Sequence, residues 1–192
     1  MVKVLGICAS PRRNGNSEFI LDSFLEGAKA VRGSSIKKIF LGDLVIKFCQ
    51  EGECCYKSGE CVLNDDMRVI YKDVDDADII VISAPIYFGS IPAQLKLLID
   101  RFQPHWIKKE VLKEPPLVEK KREGAFLCVS ASDRDDFFKN ARQVVRNLYA
   151  VLSIKYHGEI YCSGVNDKGD IKNNKDIMSR AYKLGEDLVK KF

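Results

Sequence analysis

The sequence predicts a doubly wound α/β fold, in which a five-stranded parallel sheet carries helices on both faces. Runs of strand length lie at residues 2–8, 36–41, 79–84, 125–129 and 154–162, with segments of helical spacing between them. Such alternation is typical of a parallel sheet, because each connection crosses a face of the sheet as a helix. The first, third and fourth runs are almost continuously apolar, as in strands buried on both faces.

The predicted helices follow these strands in order. Apolar residues recur at helical spacing in four segments that begin near Phe19, Leu95, Phe137 and Ile177. Ligands of doubly wound sheets bind outside the carboxyl ends of the strands. We therefore expect a site in the loops that follow the strands.

One long connection, at residues 103–122, lacks a helical period. It contains Pro104, Pro115 and Pro116 among many charges. The pattern predicts an irregular segment, and both a lid or subunit contact and a solvated surface loop remain open.

Length and charge narrow the class of protein. A chain of 192 residues, 46% of them hydrophobic, can bury a full core, so we expect a single domain over residues 1–192. The net charge is only +4, and its cations are mixed with carboxylates, which argues against a nucleic-acid surface. The amino terminus has neither a signal-peptide pattern nor a membrane span, so we expect a cytoplasmic protein without a membrane partner.

The loop after the first strand has the composition of a phosphate site. It supplies Ser10, Arg12, Asn16 and Ser17 and leads into a helix, with Ser17 as the predicted N-cap. Unpaired N–H groups and the dipole at a helix start attract a phosphate, and an arginine adds charge-assisted hydrogen bonds. The spacing fits neither a P-loop nor G-x-G-x-x-G.

Two further loops are candidates for holding a flat ring. The loop after the third strand contributes Pro85, Ile86, Tyr87, Phe88 and Gly89, and its aromatics and prolines suit the face and edge of a flavin. The loop after the fourth strand, which contains Ser130 and Ser132, could close over the ring or form a simple turn.

These motifs resemble the flavodoxin-like NADPH-dependent FMN reductase family over essentially the whole chain. The family pattern is matched in two groups of residues: Ser10, Arg12, Asn16 and Ser17, then Pro85, Tyr87, Ala93 to Lys96 and Ile99 to Arg101. The resemblance implies a flavodoxin-like fold in which the first group holds the FMN phosphate and the second holds the flavin ring.

Four of the seven cysteines fall within thirteen residues, in a cysteine-rich loop at about 46–66. They are Cys49, Cys54, Cys55 and Cys61. In a reducing compartment such a group indicates metal or redox chemistry. The other three, Cys8, Cys128 and Cys162, lie in strand runs and are expected to pack in the core.

The cysteine loop resembles that of the iron–sulfur flavoprotein branch, which implies a [4Fe–4S] cluster exchanging electrons with FMN. Cys49, Cys55 and Cys61 match the branch spacing, but Gly52 occupies the position of its second cysteine, and Cys54 is the candidate replacement. A tetrahedral zinc site on the same four cysteines, or free thiols, remain open alternatives.

The expected function is that of an FMN-dependent oxidoreductase or electron-transfer flavoprotein. NAD(P)H or a ferredoxin-like protein would supply electrons, and the resemblance implies a homodimer or homotetramer. No catalytic acid–base residue is expected, because His105 and His157 lie in unrelated segments. A cluster-free NAD(P)H-dependent FMN or quinone reductase, a non-enzymatic flavodoxin-type carrier and a zinc-stabilised module remain alternatives.

Overall fold

The computed structural model describes residues 1–114 and 120–192, and over these residues the strands form one parallel sheet. Pro115 and Pro116 lie outside the described residues. The strands are β1 (Val2–Cys8), β2 (Ser34–Phe40), β3 (Ile79–Pro85), β4 (Glu123–Val129) and β5 (Lys155–Cys162). Their order is β2-β1-β3-β4-β5, which confirms the predicted five-stranded, doubly wound sheet.

The order of the strands fixes where a ligand can bind. Strand β1 pairs with β2 on one side and with β3 on the other, so the winding direction reverses between β1 and β3. At such a switch point, the loops that follow the two strands diverge and leave a crevice at the carboxyl edge of the sheet.

Helices cover both faces of the sheet, as predicted. They are α1 (Asn16–Ala30), α2 (Glu53–Ser58), α3 (Met67–Asp76), α4 (Ala93–Asp100), α5 (Gln103–Trp106), α6 (Asp135–Val151) and α7 (Lys175–Val189). Helices α1 and α7 share one core with the sheet, while α3, α4 and α6 share the other. The three strand cysteines, Cys8, Cys128 and Cys162, are buried in these cores, as expected.

Helices α1 and α7 touch backbone to backbone through two glycines. A Cβ atom added to Gly27 would lie 1.9 Å from the Tyr182 carbonyl oxygen, and one added to Gly185 would lie 2.0 Å from the Phe24 carbonyl oxygen. Only glycine permits this approach. The contact fixes the axis of α1, and therefore the position of the loop at its amino terminus.

The connection after α4 differs from its prediction. Residues 103–111 are helical: α5 continues as a π-helical turn at Ile107–Val111, with Ile107 buried. Pro104 lies in the first turn of α5, where a missing N–H breaks no intrahelical hydrogen bond. The prediction of an irregular segment was therefore wrong for residues 103–111.

Two short helices, α2 and α3, were not predicted. In α3 only Met67, Ile70 and Val74 are buried, on a helix otherwise rich in charge. Among the described residues, no helix is both long and apolar enough to cross a bilayer.

Candidate functional site

Four loops meet at the carboxyl edge of the sheet and are joined through their backbones. The Ala9 amide donates to the Ser83 carbonyl at 2.8 Å, which links the end of β1 to β3. The Ile86 amide donates to Val129, and the Ser130 amide donates to Cys162, each at 2.9 Å. The crevice between the loops is therefore bounded by backbone that the sheet itself holds in place.

This crevice has a volume of about 440 Å³, part of which is open to solvent, and most of the predicted cofactor residues line it. Those that line it are Ser10, Arg12, Asn16, Ser17, Pro85, Ile86, Tyr87 and Ser130. Sequence reasoning missed five further lining residues: Gly15, Val129, Ala131, Val165 and Asn166. Val165 and Asn166 belong to a fourth loop, after β5, which no motif indicated.

The amino terminus of α1 forms one end of the crevice, the predicted phosphate end. The N-cap is Gly15, and Ser17 lies inside the first turn instead of capping it as predicted. Within the described part of the chain, the backbone N–H groups of Gly15, Asn16 and Ser17 have no acceptor. Arg12 also lines this crevice, to which the described residues contribute no carboxylate. Free N–H groups, a helix dipole and a guanidinium together fit a phosphate.

Asn16 has a second task that sequence reasoning did not find. Its side-chain amide donates to the Asp167 carbonyl at 2.9 Å, and its Oδ1 accepts from the Gly169 amide at 3.0 Å. Arg12 donates to the Asn166 carbonyl at 3.2 Å. The Asn16 side chain thus fastens the loop after β5 to the phosphate end, while the Asn16 backbone N–H remains free for a ligand.

The buried carboxylate of Glu18 holds the loop between β1 and α1 in place. Glu18 accepts from the Asn14 amide at 2.6 Å and from Lys38 at 2.8 Å. Burial raises the pKa of Glu18, but these hydrogen bonds outweigh burial and hold the pKa below its ordinary value. Asn14 has a φ of 52°, and the hydrogen bond that its amide donates to Glu18 holds this left-handed residue in place.

The loop after β3 ends in a tight turn, which places two of the predicted cofactor residues outside the crevice lining. Tyr87 and Ser90 form a backbone bridge around Phe88 and Gly89, whose φ angles are 49° and 75°. The turn directs Phe88 fully into solvent, so that neither Phe88 nor Gly89 lines the crevice. Tyr87, which is 40% exposed, is the aromatic ring at the crevice.

The first two turns of α6 support this aromatic loop. Asn140 donates to the Gly89 carbonyl at 3.0 Å, and the Phe137 ring lies against Gly89. The predicted Ser132 also plays a supporting part: its amide donates to Ser130 Oγ at 3.1 Å, and its side chain does not line the crevice.

The helix of the cysteine loop, α2, packs against α5 and the π-helical turn, and the thiols of the loop differ in exposure. Cys55 is buried, Cys54 is exposed, and Cys49 and Cys61 are intermediate. Burial raises the pKa of the Cys55 thiol, and the nearby thiols of Cys61, Cys49 and Cys54 raise it further. Over residues 1–114 and 120–192, no three potential ligands are arranged as a metal site. The short helix α2 turns Cys54 to solvent and Cys55 inward.

A buried ion pair anchors this loop. Arg101 and Asp65, each with a side chain only 1% exposed, pair through both guanidinium Nη atoms at 2.5 and 3.2 Å. Arg101 also donates to the Lys47 carbonyl at 2.8 Å and to Cys61 Sγ at 3.3 Å. Burial lowers the pKa of Arg101, but the bonds to Asp65 and Cys61 outweigh burial and hold it above its ordinary value.

The residues around this anchor fit an iron–sulfur cluster in two respects. Four thiols are available, which is the number such a cluster uses. The Arg101 Nε–H is buried and has no acceptor in the described chain. A sulfur of a bound cluster is a chemically suitable acceptor for it.

Neither histidine is hydrogen-bonded to a described thiol, and neither lines the crevice. His105 Nε2 lies 3.2 Å from Asp75 and packs against Tyr71 and Phe102. His157 lies 3.3 Å from Glu123, near the opposite edge of the sheet. Structural roles for the two histidines stay a prediction.

Comparison with known proteins identifies relatives of this chain. The model of the NADPH-dependent FMN reductase family matches residues 2–161. An iron–sulfur flavoprotein of Methanosarcina thermophila is 36% identical over 131 residues, which is 68% of this chain and 64% of that protein. One from Methanocaldococcus jannaschii is 30% identical over 98% of this chain and 96% of its own length.

Solved structures share the fold. A flavone reductase superimposes with a TM-score of 0.73 at 21% identity, over 98% of this chain and 62% of its own. The chain therefore belongs to the NADPH-dependent FMN reductase family, within its iron–sulfur flavoprotein branch, and is an FMN-dependent oxidoreductase.

Proposed function

We propose that the protein holds FMN in the crevice and relays electrons between this flavin and a [4Fe–4S] cluster on its cysteine loop. The observation that carries the flavin part is the phosphate end, where three free backbone N–H groups and Arg12 face a crevice whose described lining has no carboxylate. Residues 1–192 would act as one FMN-binding domain.

The assignment gives each group of residues a defined task. The N–H groups of Gly15, Asn16 and Ser17, with Arg12 and the Ser10 hydroxyl, would bind the phosphate. Ser10 Oγ already accepts from the Arg12 amide at 3.1 Å, which leaves its proton free to donate to an anion.

The ring would lie against the loop after β3. Pro85, Ile86 and Tyr87 offer an apolar wall, and Ser130 borders the other side. Bound FMN supplies hydride and single-electron chemistry, while the protein positions it and excludes water.

We assign the cluster to Cys49, Cys54, Cys55 and Cys61. The relatives named iron–sulfur flavoproteins, the number of thiols and the unpaired Arg101 Nε–H support this assignment. Cys54 would take the place of the family's second cysteine, because Gly52 has no side chain to bind iron.

The electron donor follows the family description: NAD(P)H, with a ferredoxin-like protein as the alternative for a pure carrier. We further propose a cytoplasmic homodimer or homotetramer, in which the cluster and flavin that exchange electrons lie in the same or in neighbouring subunits.

The deciding experiment is an absorbance spectrum with iron and acid-labile sulfide analysis, on protein purified without oxygen. We expect flavin bands, a broad absorbance at about 400 nm and about four irons per chain, which is the content of a four-iron cluster. Flavin bands without iron would leave a cluster-free reductase or carrier. NADPH oxidation by the FMN-loaded protein then separates an enzyme from a carrier.

The phosphate assignment has its own test with a matched control. Arg12→Ala should weaken FMN binding by about 1.5–3 kcal/mol, the usual value of a hydrogen bond to a charged group, and should barely affect riboflavin, which lacks the phosphate. Arg13→Ala is the control, because Arg13 pairs with Asp43 and stacks on Phe40 outside the crevice. Equal losses for FMN and riboflavin, measured by fluorescence titration, would remove Arg12 from the phosphate site.

A further inference from the structure

We propose that Arg101 donates hydrogen bonds to sulfur at the Cys61 corner of the cluster, and so is the positioning residue that sets the cluster's reduction potential. The inference rests on the proposed cluster and goes beyond it, because Arg101 supplies no ligand atom.

The first argument is that the two edges of the Arg101 guanidinium have different partners. Its Nη1 and Nη2 atoms face Asp65, and Nη1 also donates to the Lys47 carbonyl. The remaining edge of the planar fork is formed by Nε and Nη2, and Nη2 donates to Cys61 Sγ across this edge. One edge therefore holds the loop, and the other faces sulfur.

The second argument is the unpaired donor. The Nε–H shares the edge that faces Cys61, has essentially no solvent exposure and finds no acceptor in residues 1–114 and 120–192. A buried, unsatisfied N–H of a charged group costs free energy, so native structures rarely retain one without a partner. A second sulfur at the cluster would satisfy it.

The third argument is that the group cannot easily move away. Asp65 pairs with two guanidinium nitrogens, and it also accepts from the backbone amides of Lys47 and Met67 at 2.9 and 3.1 Å. Tyr71 donates its hydroxyl proton to the Arg101 carbonyl. The guanidinium edge is thus presented to Cys61 by a rigid, buried frame.

Position along the chain gives the interaction its significance. Arg101 immediately follows α4, the helix that begins after the aromatic loop of the crevice. Eight helical residues rise about 12 Å, so this helix connects the predicted flavin loop directly to the cysteine loop. N–H donors and positive charge at cluster sulfurs favour the reduced, more negative state and raise the potential.

The test is the midpoint potential of the cluster in the anaerobically purified holoprotein, followed by electron paramagnetic resonance. Arg101→Lys keeps the positive charge but lacks the second donor on that edge. At a fixed applied potential, its ratio of oxidised to reduced cluster should rise about tenfold, which is a shift of about 59 mV to lower potential for a one-electron couple.

Arg68→Lys is the matched control. Arg68 lines the same cavity as Cys61, but its side chain makes no hydrogen bond to sulfur among the described residues. The cluster potential of this control, and the flavin potential of both variants, should remain at the wild-type value. A loaded Arg101→Lys protein with the wild-type cluster potential would overturn the inference and leave the proposed function intact.

A second measurement decides the case in which Arg101→Lys does not assemble the cluster. In wild-type protein with ¹⁵N-labelled arginine, pulsed paramagnetic resonance of the reduced cluster should detect a coupled ¹⁵N nucleus. An absent coupling would overturn the inference. Wild-type protein without iron would instead refute the cluster assignment itself, and this inference with it.

Discussion

At the scale of single residues, two buried ion pairs lie beneath the candidate sites. Arg101 and Asp65 are almost fully buried, and Glu18 is nearly so beneath the phosphate loop. Removing one partner of such a pair costs far more than the pair contributes, because an unpaired charge remains in a medium of low dielectric constant. Each pair also lies under a loop that carries part of a site.

We predict a large and pH-dependent loss of stability for Asp65→Asn. At pH 7 the substitution should cost about 3–5 kcal/mol of unfolding free energy, because it strands the Arg101 charge. Burial alone would raise the pKa of Asp65, but bonds from Arg101, Lys47 and Met67 hold it below the ordinary 3.8. The folded state therefore favours the ionised form, and this contribution disappears as the pH falls through the lowered pKa.

Urea unfolding of the flavin-free and iron-free proteins checks this prediction. The gap between wild type and Asp65→Asn should be constant from neutral pH to above 3.8, and should narrow at lower pH. Asp76→Asn is the control, because its pair with Lys3 is solvent-exposed and 3.8 Å long, and it should have little effect. A gap that does not change with pH would contradict the assigned ion pair.

A second prediction at this scale concerns the ligand that replaces the family's second cysteine. Cys54→Ser should lower the iron content per chain, and the double variant Gly52→Cys with Cys54→Ser should restore it. The restoration is sterically possible, because a Cβ added at Gly52 meets nothing within 4 Å. Iron and sulfide analysis is the readout, and full iron content in Cys54→Ser would show that Cys54 is not a ligand.

At the scale of elements, the contact between α1 and α7 determines where the phosphate end lies. The two glycines let the helix backbones touch, and α1 then projects its amino terminus into the crevice. The side-chain hydrogen bonds of Asn16 connect the start of α1 to the loop between β5 and α7. Helix packing and ligand geometry are therefore coupled through α1.

We predict that Gly185→Ala separates these helices. The added methyl group would meet the Phe24 carbonyl, so the helices must shift, at a cost of about 1–3 kcal/mol or more. Ser179→Ala, at an exposed position of the same helix, is the control and should leave stability nearly unchanged. Chemical unfolding measures the difference, and an unchanged midpoint for Gly185→Ala would refute the close contact.

The sequence predicts the elements well where burial dictates composition. Strands β1, β3 and β4 are buried on both faces, so their sequences are almost continuously apolar. Their positions can therefore be predicted from the sequence. Helix α3 was missed because only one narrow stripe is buried on a charged decapeptide. The helix at 103–106 was missed because Pro104 is tolerated at a helix start.

The candidate site was predictable only where side chains carry the signal. Arg12 and Tyr87 stand in motifs after strands, and both line the crevice. Val165 and Asn166 reach it through a loop some 150 residues from α1, fastened by backbone atoms that have no sequence signature. Phe88 lies outside the crevice lining, and the sequence could not show this, because the left-handed turn that directs it outward depends on φ angles, not on its residue type.

At the scale of the whole molecule, the crevice joins four loops that come from both ends of the chain. Each loop follows a different strand, and the joining hydrogen bonds run between backbone atoms. A ligand that contacts all four should therefore stabilise the entire sheet edge. Binding to the folded state alone contributes a free energy of RT ln(1 + [L]/Kd).

We predict that FMN raises the thermal unfolding temperature in a concentration-dependent way, and more than riboflavin does. At a free concentration one hundred times its Kd, FMN should contribute about 2.7 kcal/mol, or about 5–11 °C for a protein of this size. At the same free concentration riboflavin should contribute less, because it leaves the amide groups at the start of α1 unpaired. Differential scanning fluorimetry of the flavin-free protein, with phosphate-free buffer, gives the comparison. Equal shifts with the two flavins would mean that the amino terminus of α1 takes no part in binding, and the proposed orientation of FMN in the crevice would have to be abandoned.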